Sequence, residues 1–207
     1  MFVQIIKYFQ MNQLQYFDYL IQHLQISFMS LLITVVIGVP FGVFCAKHQL
    51  LAESLIIMSQ LLRIIPSLAV LFILIPFLGT GIVPALIALV ALGLPSVFIN
   101  TVLGFKEVPP IMIEVGTGMG MSSSQLWKKV EFPFALPFIL NGVKISLVEI
   151  IASTTLAAYI GAGGLGTLIF TGLGLYRTDL LLIGGGSVAI LSLISMTIFD
   201  WVIKHYV

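Results

Sequence analysis

The chain has 207 residues, of which 59% are apolar and only 8% charged, with a formal net charge of +1. Soluble domains carry about 25% charged residues, so this composition cannot cover a water-facing surface and implies an integral membrane protein. No basic cluster exceeds two residues, which excludes an electrostatic nucleic-acid footprint, and the single cysteine, Cys45, cannot form an internal disulfide.

Residues 1–22 lack the compact apolar core and small-residue cleavage site of a signal peptide. Apolar residues recur there at helical spacing: Phe2, Ile5, Ile6 and Phe9, then Tyr16, Phe17, Leu20 and Leu24, with Gln4, Lys7, Gln10 and Gln22 on other faces. This predicts an N-terminal amphipathic helix over 1–22, lying in the membrane interface or, alternatively, packed on the protein itself. A membrane-spanning helix needs about 20 apolar residues at ~1.5 Å rise each. Five segments qualify: 24–46, 54–77, 82–104, 137–160 and 180–203. Pro40, Pro66, Pro95 and the Ser153-Thr154-Thr155 run fall inside four of the spans. Neighbouring helices can satisfy the backbone groups such residues free, and these positions favour bends. No internal repeat appears, so 23–207 reads as one transmembrane domain.

Basic residues in the connections set orientation. With the N-terminus outside, the connections 47–53 and 105–136 and the C-terminal end are cytoplasmic and hold Lys47, Lys106, Lys128, Lys129 and Lys204. The outer side then holds Lys7 and Arg177. The asymmetry predicts N-out, C-in.

The connection 105–136 carries the polar punctuation of the chain. Pro109-Pro110 can start a helix, and Ile111, Met112 and Val115 give it an apolar side. Gly116, Gly118 and Gly120 oppose its continuation. Ser122 followed by Gln125 fits a capping box, so a second helix should start near Ser123, carrying Leu126 and Val130 on one face, and Pro133 should end it. Two short helices joined at glycine would protrude from the membrane and suit docking into a partner.

This loop resembles the cytoplasmic loop of ABC importer permeases, which has the form E-A-A, three residues, G, nine residues, I-x-L-P. Here it reads Glu114-Val115-Gly116, three residues, Gly120, nine residues, then Val130-Glu131-Phe132-Pro133, with Gly116 in place of an alanine. The segments 23–42, 64–89 and 155–170 look like the permeases of osmoprotectant importers, which carry glycine betaine, carnitine, choline or related compounds. The resemblance implies an all-α fold of the methionine-permease type, with five transmembrane helices, an interfacial N-terminal helix and a helical coupling loop. It also implies a second permease, identical or related, paired around a central path. A cytoplasmic ABC ATPase dimer would take the loop and hold ATP and magnesium, and this chain would bind no cofactor. An extracellular substrate-binding protein would deliver the solute, expected as a separate polypeptide because the chain stops at Val207. On this resemblance Gly120 makes the turn between the loop helices and Glu114 makes polar contacts within the loop or with the ATPase. Methionine or another amino-acid derivative is the alternative cargo, and an ATP-independent channel or secondary carrier the alternative class.

GAGGLG at 161–166 satisfies a dinucleotide-binding pattern literally, but it follows a membrane helix rather than a strand. Gly161, Gly163, Gly164 and Gly166 are better read as a backbone reversal at an external gate, where glycine allows close packing. Arg63 and Glu149 each lie about ten residues into a predicted span. Ionisable groups at such depth cost about 2.5–3.5 kcal/mol on insertion scales and should face protein or water. They are read either as an intramembrane pair or as contacts to the transport path. Lys144 can reach the inner surface, Asp200 with Trp201 reads as an interfacial anchor, and His23, His48 and His205 lack metal-ligand spacing. No set of residues suited to enzymatic catalysis appears.

Overall fold

The computed structural model describes residues 2–206. Every regular element among them is helical: α1 Phe2–Met11, α2 Gln13–Ala46, α3 Gln49–Leu62, α4 Ser67–Leu78, α5 Ile82–Lys106, α6 Pro110–Gly118, α7 Ser123–Leu126, α8 Phe132–Ala157, α9 Gly166–Gly174 and α10 Thr178–Tyr206. A π-helical turn, Trp127–Glu131, joins α7 to α8, and a 3₁₀ turn, Ala158–Ile160, follows α8. Four helical runs are long and apolar enough to cross a membrane, and a bent pair, α3 with α4, makes a fifth.

The central element is α5, which packs on α2 along one side and α8 along the other. Small residues set these contacts. A methyl group at Gly42 would lie 2.7 Å from Thr101 Cβ, one at Gly93 2.6 Å from Ser146 Oγ, and one at Gly142 2.7 Å from Asn100 Cβ and 2.9 Å from the Ser96 carbonyl. Close backbone approach of this kind drives helix association where lipid supplies no hydrophobic gradient. Leu71, Leu89, Val97 and Ile150 are fully buried in the resulting core. Polar links pin α2 to its neighbours: Ser27 to Thr154 at 3.1 Å, His23 Nε2 to the Ile151 carbonyl at 3.1 Å, and Tyr16 to Ser187 at 2.8 Å. Other buried hydroxyls return to their own helix, as Thr34 donates to the Ser30 carbonyl and Thr101 to that of Val97. That is the standard solution in a medium without water.

Three elements differ from the sequence expectation. The N-terminal helix is not continuous over 1–22: it breaks at Asn12, whose side chain donates to the Tyr8 carbonyl, and residues from Gln13 onward extend the first span. In α1, Tyr8 is buried in the cluster that α10 helps to form, while Phe2, Val3 and Ile6 stay exposed. One face therefore packs on the protein and the other is free for the membrane interface. The segment 54–77 is not one straight helix. It breaks at residues 63–66 and turns by 91°, because Pro66 lacks a donor and disfavours helical geometry in the residue before it. Nor does Pro133 end the loop's second helix. Helix runs on from Ser123 to Ile160. The π turn immediately before Pro133 widens the helix where the proline ring would otherwise meet the carbonyl four residues back.

The close packing of α5 on α8 generates a test. Gly142→Leu must displace the backbone around Ser96 and Asn100. Overpacking costs about 1–3 kcal/mol or more, and at about 2–4 °C per kcal/mol the apparent melting temperature of the purified protein in detergent should fall measurably. An unchanged melting temperature would refute the contact.

Candidate functional site

The loop helices form a compact, pre-shaped pair. Pro110 occupies the first turn of α6, where its missing N–H costs nothing. The helix ends in a Schellman motif: the Met121 N–H donates to the Gly116 carbonyl at 3.1 Å and the Gly120 N–H to the Thr117 carbonyl at 2.9 Å. This closure needs a left-handed residue, and Gly120 supplies it with φ of 78°. Two residues on, Ser122 and Gln125 exchange both bonds of a capping box, the Ser122 N–H to Gln125 Oε1 at 2.8 Å and the Gln125 N–H to Ser122 Oγ at 3.4 Å. The chain thus turns by local bonds alone.

Between the two helices lies an apolar cleft of about 530 Å³, lined by Ile111, Met112, Val115, Gly116, Val130 and Pro133 among others. Phe132, expected in the same loop site, does not line the cleft: it packs on the core cluster of Leu31, Val97 and Ala135, with its ring 5.3 Å from that of Trp127. Gly116 is buried in α6 and Leu126 in α7; Val115, Ile111 and Met119 are exposed. Glu114 is exposed and forms no hydrogen bond or ion pair with the described residues, so its carboxylate does not hold the loop. At ~1.5 Å per residue the 38-residue helical run from Ser123 is about 57 Å long, against about 30 Å of bilayer hydrocarbon. Its first turns therefore project beyond the span. The end of α2 is beside them, since Lys47 shares a second cavity with Ser123, Trp127 and Glu131.

The structure brings Arg63 and Glu149 together. Arg63 Nη2 lies 3.9 Å from Glu149 Oε1, and their side chains are 43% and 30% exposed. Arg63 is not inside a helix, as its sequence position implied, but caps α3 at the break. Ser96 donates to the other Glu149 oxygen at 3.0 Å. A pair that sequence spacing did not connect lies nearby: Lys144 Nζ contacts Asp200 Oδ1 at 2.7 Å, joining α8 to α10. The available signal was only that opposite charges occur in two spans, which does not say that those spans touch.

The reversal after α8 is built from Gly161, Gly163 and Gly164, all with φ between 81° and 85°. It seats against the first half of α2: the Gly164 N–H donates to Gln22 Oε1 at 3.2 Å, and a methyl on Gly164 would lie 3.2 Å from His23 Nδ1. Gly166 opens α9, and any side chain there would strike the Thr155 carbonyl. The same turn reaches α5, whose preceding residue Gly81 donates to the Ile160 carbonyl at 2.8 Å. The helix α9 itself, nine residues long, is too short to span and had no counterpart in the sequence reading.

A bundle with one broken span, and with one helix projecting past the membrane into a two-helix loop, is the architecture of a transport-system membrane subunit. Residues 38–207 match the family described as binding-protein-dependent transport system inner membrane component, and the chain belongs to that family. It is 42% identical over 190 residues to the carnitine transport permease protein OpuCB of Listeria monocytogenes, covering 92% of this chain and 87% of that one. It is 37% identical over 173 residues to the glycine betaine/carnitine/choline transport system permease protein OpuCB of Bacillus subtilis, covering 84% and 80%. Its fold superimposes on a chain of the inward-facing MetNI methionine ABC transporter with a TM-score of 0.81, covering 91% of this chain and 94% of that one at 23% identity. The protein is thus a multi-pass inner-membrane component of an ABC importer, which works with an ATPase and a substrate-binding protein.

The cleft makes a graded prediction. A methyl at Gly116 would sit 3.4–3.6 Å from Met121 and Leu126, in ordinary contact. Gly116→Ala should therefore be accepted and, by removing backbone freedom from the unfolded chain, stabilise by about 0.4–1 kcal/mol. Gly116→Leu should wedge the helices apart and destabilise. Thermal unfolding of the two variants in detergent checks the opposite signs.

Proposed function

We propose that this chain is the permease subunit of an ATP-driven importer for a compatible solute of the quaternary-amine class: carnitine, glycine betaine or choline. The names of its relatives support that cargo; the methionine transporter, at 23% identity, supports the fold alone. Two permeases, identical or related, pair around the path. Each presents its loop helices to a cytoplasmic ATPase dimer that binds ATP and magnesium, and an extracellular binding protein delivers the solute. The N-terminus lies outside and the C-terminus in the cytoplasm. Lys47 beside the loop helices supports this polarity, as do Lys106, Lys128 and Lys129 in the loop and its flank.

The observation that carries the coupling role is the uninterrupted helix from Ser123 to Ile160. The loop's second helix and the fourth span are one body, so a push on the cleft moves the membrane helix with it. Closure of the ATPase pair would rotate this unit and switch access, a rigid-body transition. In that scheme Val115, Val130 and Pro133 shape the docking cleft, Phe132 ties its base to the membrane core, Gly120 closes its turn, and exposed Glu114 meets the ATPase. The glycines at 161, 163, 164 and 166 form the opposite, external end.

The test is Gly120→Val in the complete transporter reconstituted in vesicles. A β-branched residue at φ of 78° is a genuine outlier and should open the Schellman closure. Uptake should fall by at least about tenfold, equivalent to about 1.4 kcal/mol, with membrane insertion intact and ATP hydrolysis no longer stimulated by loaded binding protein. Uptake at the wild-type rate would overturn the docking role.

A further inference from the structure

Arg63 and Glu149 are poorly arranged for a purely structural bond. Charge-assisted pairs close to about 2.7–2.9 Å, whereas these stand 3.9 Å apart with side chains 43% and 30% exposed. Desolvating two charges is repaid only by close geometry and further hydrogen bonds. The Lys144–Asp200 pair in the same region shows what such closure looks like, at 2.7 Å. Glu149 is instead held from behind, by Ser96 at 3.0 Å, and Arg63 makes no hydrogen bond with the described residues, its contact with Glu149 being too long for one. Both side chains line two cavities, of about 230 and 350 Å³. The smaller sits at the 63–66 break, with Ser67 and Ser153 in its wall. Irregular backbone at membrane depth is tolerated where it lines a cavity or is buried in protein, and broken spans recur at solute sites.

The geometry points to a transient solute station at this pair, at which a small zwitterion places its carboxylate on Arg63 and its quaternary ammonium against Glu149. The identity of the ligand rests on the proposed function. The chemistry fits each side. A quaternary ammonium has no N–H to donate, so it needs negative charge at contact distance rather than a hydrogen-bond acceptor in a fixed direction. Glu149 offers this through the oxygen not taken by Ser96. Arg63 presents a planar donor fork, the group best matched to a carboxylate. Lys144 lines the larger cavity but is already neutralised by Asp200, which leaves Glu149 as the acidic group facing the solute. Passage would exchange the Arg63–Glu149 attraction for two attractions to the solute, and exit would restore it.

The decisive variant is Arg63→Gln with Glu149→Gln in one chain, assayed in the complete transporter in vesicles with saturating binding protein. Removing both charges leaves no uncompensated ion, so a structural pair tolerates the change. A solute station does not: uptake of labelled glycine betaine and carnitine should stay at least about tenfold below wild type, while the complex assembles in normal amount. Uptake by the double variant within about twofold of wild type would overturn the station, and so would failure of the double variant to assemble, which assigns the pair to folding. The wild-type arm separates the two readings. Wild-type vesicles that move none of glycine betaine, carnitine and choline would refute the proposed solute class, whatever the variant does.

Discussion

Everything in this molecule hangs on how closely α5 approaches α2 and α8. In lipid, apolar side chains gain nothing by leaving the solvent, so helices hold together through dense contact and the few polar groups they share. Gly42, Gly93, Gly104 and Gly142 let the backbones meet at distances that a methyl group would prevent. The seam they make buries Val97, Ile150 and Leu89 completely. It also places Ser96 on α5 against Glu149 on α8. The same packing that holds the bundle thus orients its one acidic group at the helix break.

A second consequence concerns α8. Its helical run carries the loop's second helix at one end, Glu149 within the span, and the glycine reversal at the other end. In the proposed importer, a stiff rod with a loop cleft at one end, a charged mid-section and a reversal seated on α2 at the other can link events at both membrane faces without any long pathway of side-chain rearrangements. The bent α3–α4 segment is its counterpart. It contributes Arg63 from a break, where modest changes of backbone torsion can move the guanidinium without unfolding a helix. In the proposed importer the fixed partner is Glu149, tied to Ser96, and the adjustable one is Arg63.

The local chemistry of the loop was legible because it is local. The Ser122–Gln125 capping box, the helix start at Pro110 and the turn at Gly120 are each closed by bonds within six residues, and short-range rules suffice for them. The glycine reversal after α8 was legible for the same reason, since adjacent positive-φ positions demand glycine. The breaks were harder to read. Prolines 40, 66, 95 and 133 all look alike in sequence. Pro40 and Pro95 sit inside continuous helices, Pro66 opens a 91° bend, and Pro133 follows a π turn. Residue type alone does not separate them.

Sequence by itself determined the membrane class, the apolar segments that form the spans, the turn chemistry of the loop and the family, because each follows from apolar run length, residue spacing or backbone torsions inside one segment. It also marked Arg63 and Glu149 as anomalies, since ionisable groups are costly in any apolar span. Only the tertiary structure decided that these two meet across 86 residues of chain, that Lys144 finds Asp200, that α1 packs one face on α10, and that the loop's second helix is the beginning of α8. The physical reason is that such pairings depend on which helix faces which. In a bilayer that choice is made by the fit of small residues along whole helices, and no single stretch of sequence contains it.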